Sequence, residues 1–210
     1  MKAKCIVTIC IAAVFASTKA ESRPTPIPTV RVQIQSCDFT FKDPFHGSID
    51  RPKEANNFKY AGYSTTVHVG RQQRSFGFNF ACHSAYAEPN QVAMQYGGRF
   101  SVTGKKWIAD FQGATPDEVP LLSKATVTRQ LESKNASGFY QVQEDTDGDP
   151  MLRSRHISYC LFHERDAICG FGEIRRRSGV KDDVLSYALQ ILQSIEFIDS
   201  DLKKSSGAAR

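Results

Sequence analysis

Hydrophobic and polar positions along this chain change period several times, and each change predicts an element. Lys2 and Lys4 precede an uncharged apolar run from Cys5 to Ala16. Thr18-Lys19-Ala20 then offers small residues at the −3 and −1 positions of a cut before Glu21. The run is shorter than the ~20 residues that span a bilayer, so a cleavable signal peptide over 1–20 is expected rather than a retained anchor. Pro24, Pro26 and Pro28 hold 21–29 extended as a leader. Val30–Ser36 alternates apolar and polar residues, the pattern of a half-buried strand. Asp43–Asn57 is rich in Pro, Gly, Asp and Asn and reads as loop.

Tyr60–Val69 and Ser75–Cys82 form the next pair, a hairpin around Gly70-Arg71-Gln72-Gln73. Phe76, Phe78 and Phe80 share one strand face, and Gly77, Asn79 and Ala81 share the other. A phenylalanine stripe at that spacing belongs in a core. Glu88–Gln95 suits a short helix ended by Gly97-Gly98, and Arg99–Thr103 and Lys106–Phe111 suit strands joined at Gly104-Lys105, with the lone Trp107 in the second. Thr115-Pro116-Asp117-Glu118 is a helix start with Thr115 as N-cap, which Pro120 should limit to about one turn. Ala125–Leu131 and Gly138–Gln143 read as strands around Asn135-Ala136-Ser137-Gly138. Arg155–His163 and Ile168–Arg175 flank a charged turn. Asp182–Ile195 then carries Val184, Leu185, Ala188, Ile191, Leu192 and Ile195 at helical spacing. Phe197-Ile198 suits a last short strand, and 200–210 reads as a disordered tail. The expected architecture is α+β: one domain over 30–199, an antiparallel β-sheet flanked by a C-terminal helix and short helices.

Export would change the charge. The chain carries 27 basic and 22 acidic residues for a net charge of +5. Three of the lysines lie in 1–20, so removing that segment lowers the net charge to +2. The basic balance therefore belongs largely to the signal and argues against a nucleic-acid partner. No stable membrane anchor is expected after cleavage.

Four of the six cysteines remain after the cut: Cys37, Cys82, Cys160 and Cys169. An even number in an exported domain reads as two disulfides. A turn centred on Glu164-Arg165 makes His163 face Asp166 and places Cys160 opposite Cys169 at a non-hydrogen-bonded position, where side chains are closest. Cys37 then pairs with Cys82. Free thiols, or zinc ligation by Cys82-His83 and Cys160-x-x-His163, are the competing arrangements, although structural zinc favours Cys-x-x-Cys spacing.

Little catalytic chemistry is legible. The chain lacks Gly-x-Ser-x-Gly, His-Glu-x-x-His, Ser-x-x-Lys and a phosphate-binding glycine loop. Among the histidines (His46, His68, His83, His156 and His163), His68 and His156 fall in strand patterns. Asp145-Thr146-Asp147-Gly148-Asp149 has acids at calcium-loop positions 1, 3 and 5, but its glycine comes at position 4 and position 12 is His156, so it reads as an acidic turn. No catalytic, cofactor-binding or metal residue is assigned, and no cofactor is expected. Arg175-Arg176-Arg177 is the strongest surface charge, either a solvated strand end or a docking rim for an acidic partner. Asn135-Ala136-Ser137 is a glycosylation sequon, relevant only in a eukaryotic host.

The run Gly138-Phe139-Tyr140, Asp147-Gly148-Asp149, Tyr159-Cys160-Leu161-Phe162, Ile168-Cys169-Gly170-Phe171-Gly172 and Leu189 to Phe197 resembles small exported bacterial proteins. The ending, a helix leading into Ser194-Ile195-Glu196-Phe197, is similar to the PsbP/Mog1-like shape, an antiparallel sheet flanked by helices. The resemblance covers about 138–198. Several immunity proteins opposing secreted toxins, type VI lipase effectors among them, resemble that shape. Export, a disulfide-held domain and the lack of catalytic motifs make the first expectation a periplasmic or secreted protein that acts by binding, as an immunity or inhibitor protein sterically blocking a secreted effector or hydrolase. The alternatives are an envelope enzyme or small-ligand carrier using a core cavity, and a structural envelope protein.

Overall fold

A computed structural model describes residues 26–50, 53–55, 58–84, 88–149, 152–175 and 183–199. Residues 1–25, where a signal peptide and most of a leader are expected, and 200–210, expected as a tail, lie outside the described residues. The chain builds β1 (Thr29–Ile34), β2 (Cys37–Lys42), β3 (Ser48–Ile49), β4 (Lys53–Ala55), β5 (Phe58–Val69) and β6 (Gln72–Ser84). Helix α1 (Pro89–Met94), β7 (Gly98–Ser101), β8 (Lys106–Ala109), α2 (Val119–Ala125), β9 (Thr126–Glu132) and β10 (Ser137–Glu144) follow. β11 (Arg155–His163), β12 (Asp166–Arg175), α3 (Leu185–Leu192) and β13 (Glu196–Phe197) complete the α+β fold.

The central sheet runs β3-β5-β6-β12-β11-β10-β9, with β4 also paired to β5, and every pairing is antiparallel. Its first face carries Phe76, Phe78 and Phe80 of β6, Ile168 and Ile174 of β12, and Ile157, Tyr159 and Leu161 of β11. The small sheet β1-β2-β13 and helix α3 cover that face. Phe39 and Phe41 of β2 meet Phe80 at ring separations of 5.2 and 5.7 Å, and Ala188, Ile191 and Leu192 of α3 close the layer. The second face carries Phe139, Cys160, Ala167 and Cys169, covered by Val92, Ala93 and Tyr96 from the α1 segment and by Trp107 from β8. Three layers result: the Cys160–Cys169 disulfide lies within the middle one, and Cys37–Cys82 joins it to the small sheet.

Both disulfides form. Cys160 faces Cys169 across β11 and β12 with Cα atoms 4.0 Å apart, in the register set by His163 opposite Asp166. Cys37–Cys82 ties β2 to β6 across 45 residues. All four half-cystines are buried. The chain-entropy model assigns about 2.7 kcal/mol to the short loop and about 4 kcal/mol to the long one. Such bonds form and persist in oxidising compartments outside the cytosol.

The structure corrects several boundaries. Cys37–Lys42 is a strand that the alternation reading passed over. Cys37, Phe39 and Phe41 point inward, and the buried Asp38 is held by the Arg31 guanidinium fork at 2.9 and 2.7 Å. The Asp43–Asn57 loop contains β3 and β4. It folds around the carboxylate of Asp43, which accepts bonds from the amides of Phe45 and Gly47 and from the hydroxyl of Tyr63. The β5–β6 turn is Gly70-Arg71 alone, since Val69 pairs with Gln72. Thr115 and Glu118 do bond each other, but they form a turn before the helix. Pro120 therefore sits in the first turn of α2 and starts the helix rather than ending it, because a proline there needs no amide donor. Helix α3 begins at Leu185, with its amide bonded to Asp183, and Asp182 lies outside the described residues.

Candidate binding face

The second face of the central sheet is only partly covered, and the cover itself presents aromatic side chains. Helix α1 opens with Pro89 in its first turn after the extended Glu88, and turns Val92 and Ala93 inward. Gly97, at φ 77°, ends this segment and leads into β7. The hairpin β7–β8 is tied to α1 along β7 and closed at its base. Asn90 Oδ1 accepts the amide of Phe100 at 2.7 Å, and Gly97 O accepts the amide of Asp110 at 2.7 Å. Trp107 lies parallel to Phe162, with ring centroids 5.4 Å apart and planes 5° apart, and also packs on Phe139 at 5.0 Å. Phe100 meets Trp107 at 5.3 Å and 68°. Together Phe100, Trp107, Glu88, Pro89 and Asn90 line an open cleft of about 440 Å³. Beyond it the hairpin tip from Val102 to Lys106 is exposed, with Val102 at 78%.

A second aromatic group borders the first. Phe171 of β12 is half exposed and stacks on Tyr96 at 4.7 Å. The Tyr96 hydroxyl meets His83 Nε2 at 2.7 Å. Burial pushes the Tyr96 hydroxyl up to about 12 and pushes the His83 imidazole below its ordinary value. Beneath them, β12 and β6 approach so closely at Gly170 that a Cβ would overlap the carbonyl oxygen of Asn79. That same oxygen accepts the Tyr159 hydroxyl at 2.8 Å, and Asn79 Oδ1 accepts the amide of Phe171 at 2.6 Å. Phe171 is therefore anchored through its backbone while its ring faces outward.

A third cluster lies at the β11–β12 turn. His163 Nδ1 lies 2.7 Å from the carbonyl oxygen of Asn135, and Nε2 lies 2.7 Å from Asp199 Oδ1. The ring stacks on Phe197 at 4.9 Å. Partial burial works against a charged imidazole here, but the bonds to Asp199 and Asn135 outweigh it and raise its pKa. The Asn135 side chain brackets the backbone of Phe197: Oδ1 accepts its amide and Nδ2 donates to its carbonyl, both at 2.9 Å. The nitrogen of the sequon is thus engaged in holding β13.

Of the residues singled out from sequence, the disulfide cysteines come together as expected. Arg175 is the last residue of β12, in register with Arg155. Arg176 and Arg177 lie outside the described residues. With all four cysteines in disulfides, the arrangement Cys82-His83 with Cys160-x-x-His163 has no thiolate to offer a zinc ion. In the Asp145–Asp149 turn, Asp145 Oδ2 accepts the amide of Ser154 and Oδ1 lies 3.3 Å from His156 Nε2. The aromatic face was not singled out from sequence. Its signal was present in Ile168-Cys169-Gly170-Phe171-Gly172, where Phe171 falls out of phase with the core positions Ile168 and Ile174.

No protein-family description, curated protein or solved structure matches this chain. No helix among the described residues is long and apolar enough to cross a membrane.

Proposed function

We propose that the protein is an exported binding protein whose working surface is the α1 and β7–β8 face, acting as an immunity or inhibitor protein that covers the active site of a secreted effector or hydrolase. The observation that carries this reading is the fastened hairpin: Phe100 and Trp107 form a cleft behind an exposed tip containing Val102. Tight interfaces concentrate their energy in a few large side chains set in desolvated pockets. They also gain when the presenting surface is ordered before binding. The Asn90 bond to the Phe100 amide, the closure of the hairpin base at Gly97 and Asp110, and the disulfide beneath supply that order. Exposed Lys105 and Lys106 at the tip suit a partner with acidic groups around its cleft. The half-exposed Phe171 extends the apolar surface toward β12. Removal of 1–20 by a signal peptidase and a periplasmic or secreted location belong to the same reading, which the two disulfides support.

The test is a defined complex. Oxidised residues 21–210 are mixed with secreted hydrolases and effectors of the source organism, and inhibition is titrated. A 1:1 complex that abolishes the partner's activity is expected. Val102→Asp and Phe100→Ala should each weaken it at least tenfold without lowering the melting temperature. Binding that ignores both substitutions, or the absence of any inhibited partner, sinks the proposal. A small-ligand carrier is the second reading, favoured by the cleft volume of about 440 Å³, which lies in the range of ligand sites. Native mass spectrometry showing a bound molecule lost on Trp107→Ala would favour it instead.

A further inference from the structure

We propose that His163, Glu164 and Asp199 form a divalent-cation site of the zinc type, which ties residue 199 beyond β13 to the β11–β12 turn. Their ligand atoms all lie within 4.8 Å of one another. Two come from one hairpin, where His163 ends β11 and Glu164 opens the turn, and the third, Asp199, lies two residues past β13. The tie would therefore be tertiary, closing a loop of 36 residues between His163 and Asp199.

The orientation of the imidazole is the decisive feature. Asn135 O lies 2.7 Å from Nδ1 and accepts its proton, and Phe197 holds the ring plane from one side. Metal-binding histidines commonly donate their second ring N–H to a carbonyl or carboxylate in this way, which fixes the tautomer and aims the other nitrogen at the ion. Here that other nitrogen, Nε2, faces the carboxylate of Asp199, and Glu164 acts on the same ring electrostatically. One imidazole nitrogen and two carboxylates within reach of one point form a donor set that a divalent ion suits. One nitrogen and two carboxylate oxygens suit zinc better than calcium or magnesium, which take oxygen ligands. With zinc bound, nitrogen and oxygens would each sit about 2.0–2.2 Å from the ion. Nε2 would release its proton to solvent, and Asp199 would move slightly away from the ring to admit the ion. Asp199 is partly exposed, so water can complete a tetrahedron.

The site is independent of the hairpin face. It uses His163 alone from the zinc pattern drawn on sequence, since Cys160 is oxidised.

The experiment uses oxidised residues 21–210 stripped with EDTA and titrated with Zn²⁺ by calorimetry, followed by thermal melts with and without one equivalent. Saturable 1:1 binding and a rise in melting temperature are expected, together with a change in the His163 Nε2 resonance in a long-range ¹H–¹⁵N spectrum. Glu164→Gln leaves the His163–Asp199 contact intact and sits on the surface, so the fold should survive it. It should weaken zinc binding at least tenfold, as should Asp199→Asn, while His156→Gln should not. Absence of saturable binding up to about 1 mM Zn²⁺ would overturn the proposal. So would wild-type affinity in both Glu164→Gln and Asp199→Asn, or an unmoved His163 Nε2 resonance at saturation.

Discussion

Removing the side chain of Asn135 tests how the last strand is held. β13 is two residues long and pairs with β2 through Glu196 opposite Thr40 and Phe197 opposite Phe39, with the Ile198 amide bonded to Asp38 O at 2.8 Å just beyond. On its other side no strand among the described residues pairs with the amide and carbonyl of Phe197; the carboxamide of Asn135 takes that place, with two bonds of 2.9 Å. Asn135→Ala deletes both and leaves the backbone carbonyl that faces His163. Each bond contributes about 0.5–1.5 kcal/mol net, so the loss should be about 1–3 kcal/mol. Single domains of this size shift by roughly 2–4 °C per kcal/mol, which puts the melting temperature about 5 °C lower. Asn135→Asp keeps an acceptor for the Phe197 amide but sets an anion against its carbonyl, so it should not restore stability. The discriminating readout is hydrogen exchange at the Phe197 amide, which should accelerate in Asn135→Ala more than amides of β6 or β11. A melting temperature within 1 °C of wild type, with Phe197 exchange unchanged, would refute the reasoning.

Replacing Cys37 and Cys82 by alanine should cost about 4 kcal/mol, against about 2.7 kcal/mol for Cys160 and Cys169; urea denaturation of the two double variants gives the order, and the reverse order would show that packing outweighs loop entropy. Gly170→Ala should cost at least about 3 kcal/mol or prevent folding, because the new Cβ would collide with the carbonyl oxygen of Asn79 and overpacking is not relieved in a rigid sheet. Near-ultraviolet circular dichroism of the purified variant reads the outcome. His83 is held below its unfolded value of 6.5 by burial. The stability it contributes is therefore fully present above pH 6.5 and is lost as the pH falls through its folded value. Unfolding free energies measured below pH 6.5 should drop more steeply for wild type than for His83→Gln, and parallel curves would contradict this.

Much of this fold can be read from residues close together in sequence. The stripe Phe76, Phe78 and Phe80 points to one face of a strand because side chains alternate with period two, and all three rings are buried. The Cys160–Cys169 pairing follows from the same period once the turn at Glu164-Arg165 is placed, since a tight hairpin sets its own register. The inward face of α3 is equally local, a matter of helical spacing. Pro120 shows the limit: a proline stops a helix or starts one depending on where the first turn falls, and residues on both sides decide that.

The candidate sites are another matter. The cleft requires Phe100 and Trp107 to be laid over Phe139 and Phe162, and the His163 cluster requires Asn135, Phe197 and Asp199 from distant parts of the chain. Composition and periodicity alone settled that this chain makes an antiparallel, disulfide-linked α+β domain, because alternation, turn chemistry and cysteine register act between near neighbours. Which aromatic rings meet, and which carboxylates face the same imidazole nitrogen, only the tertiary structure decided. Those contacts depend on how the layers stack on either face of the sheet, and stacking depends on the whole chain at once.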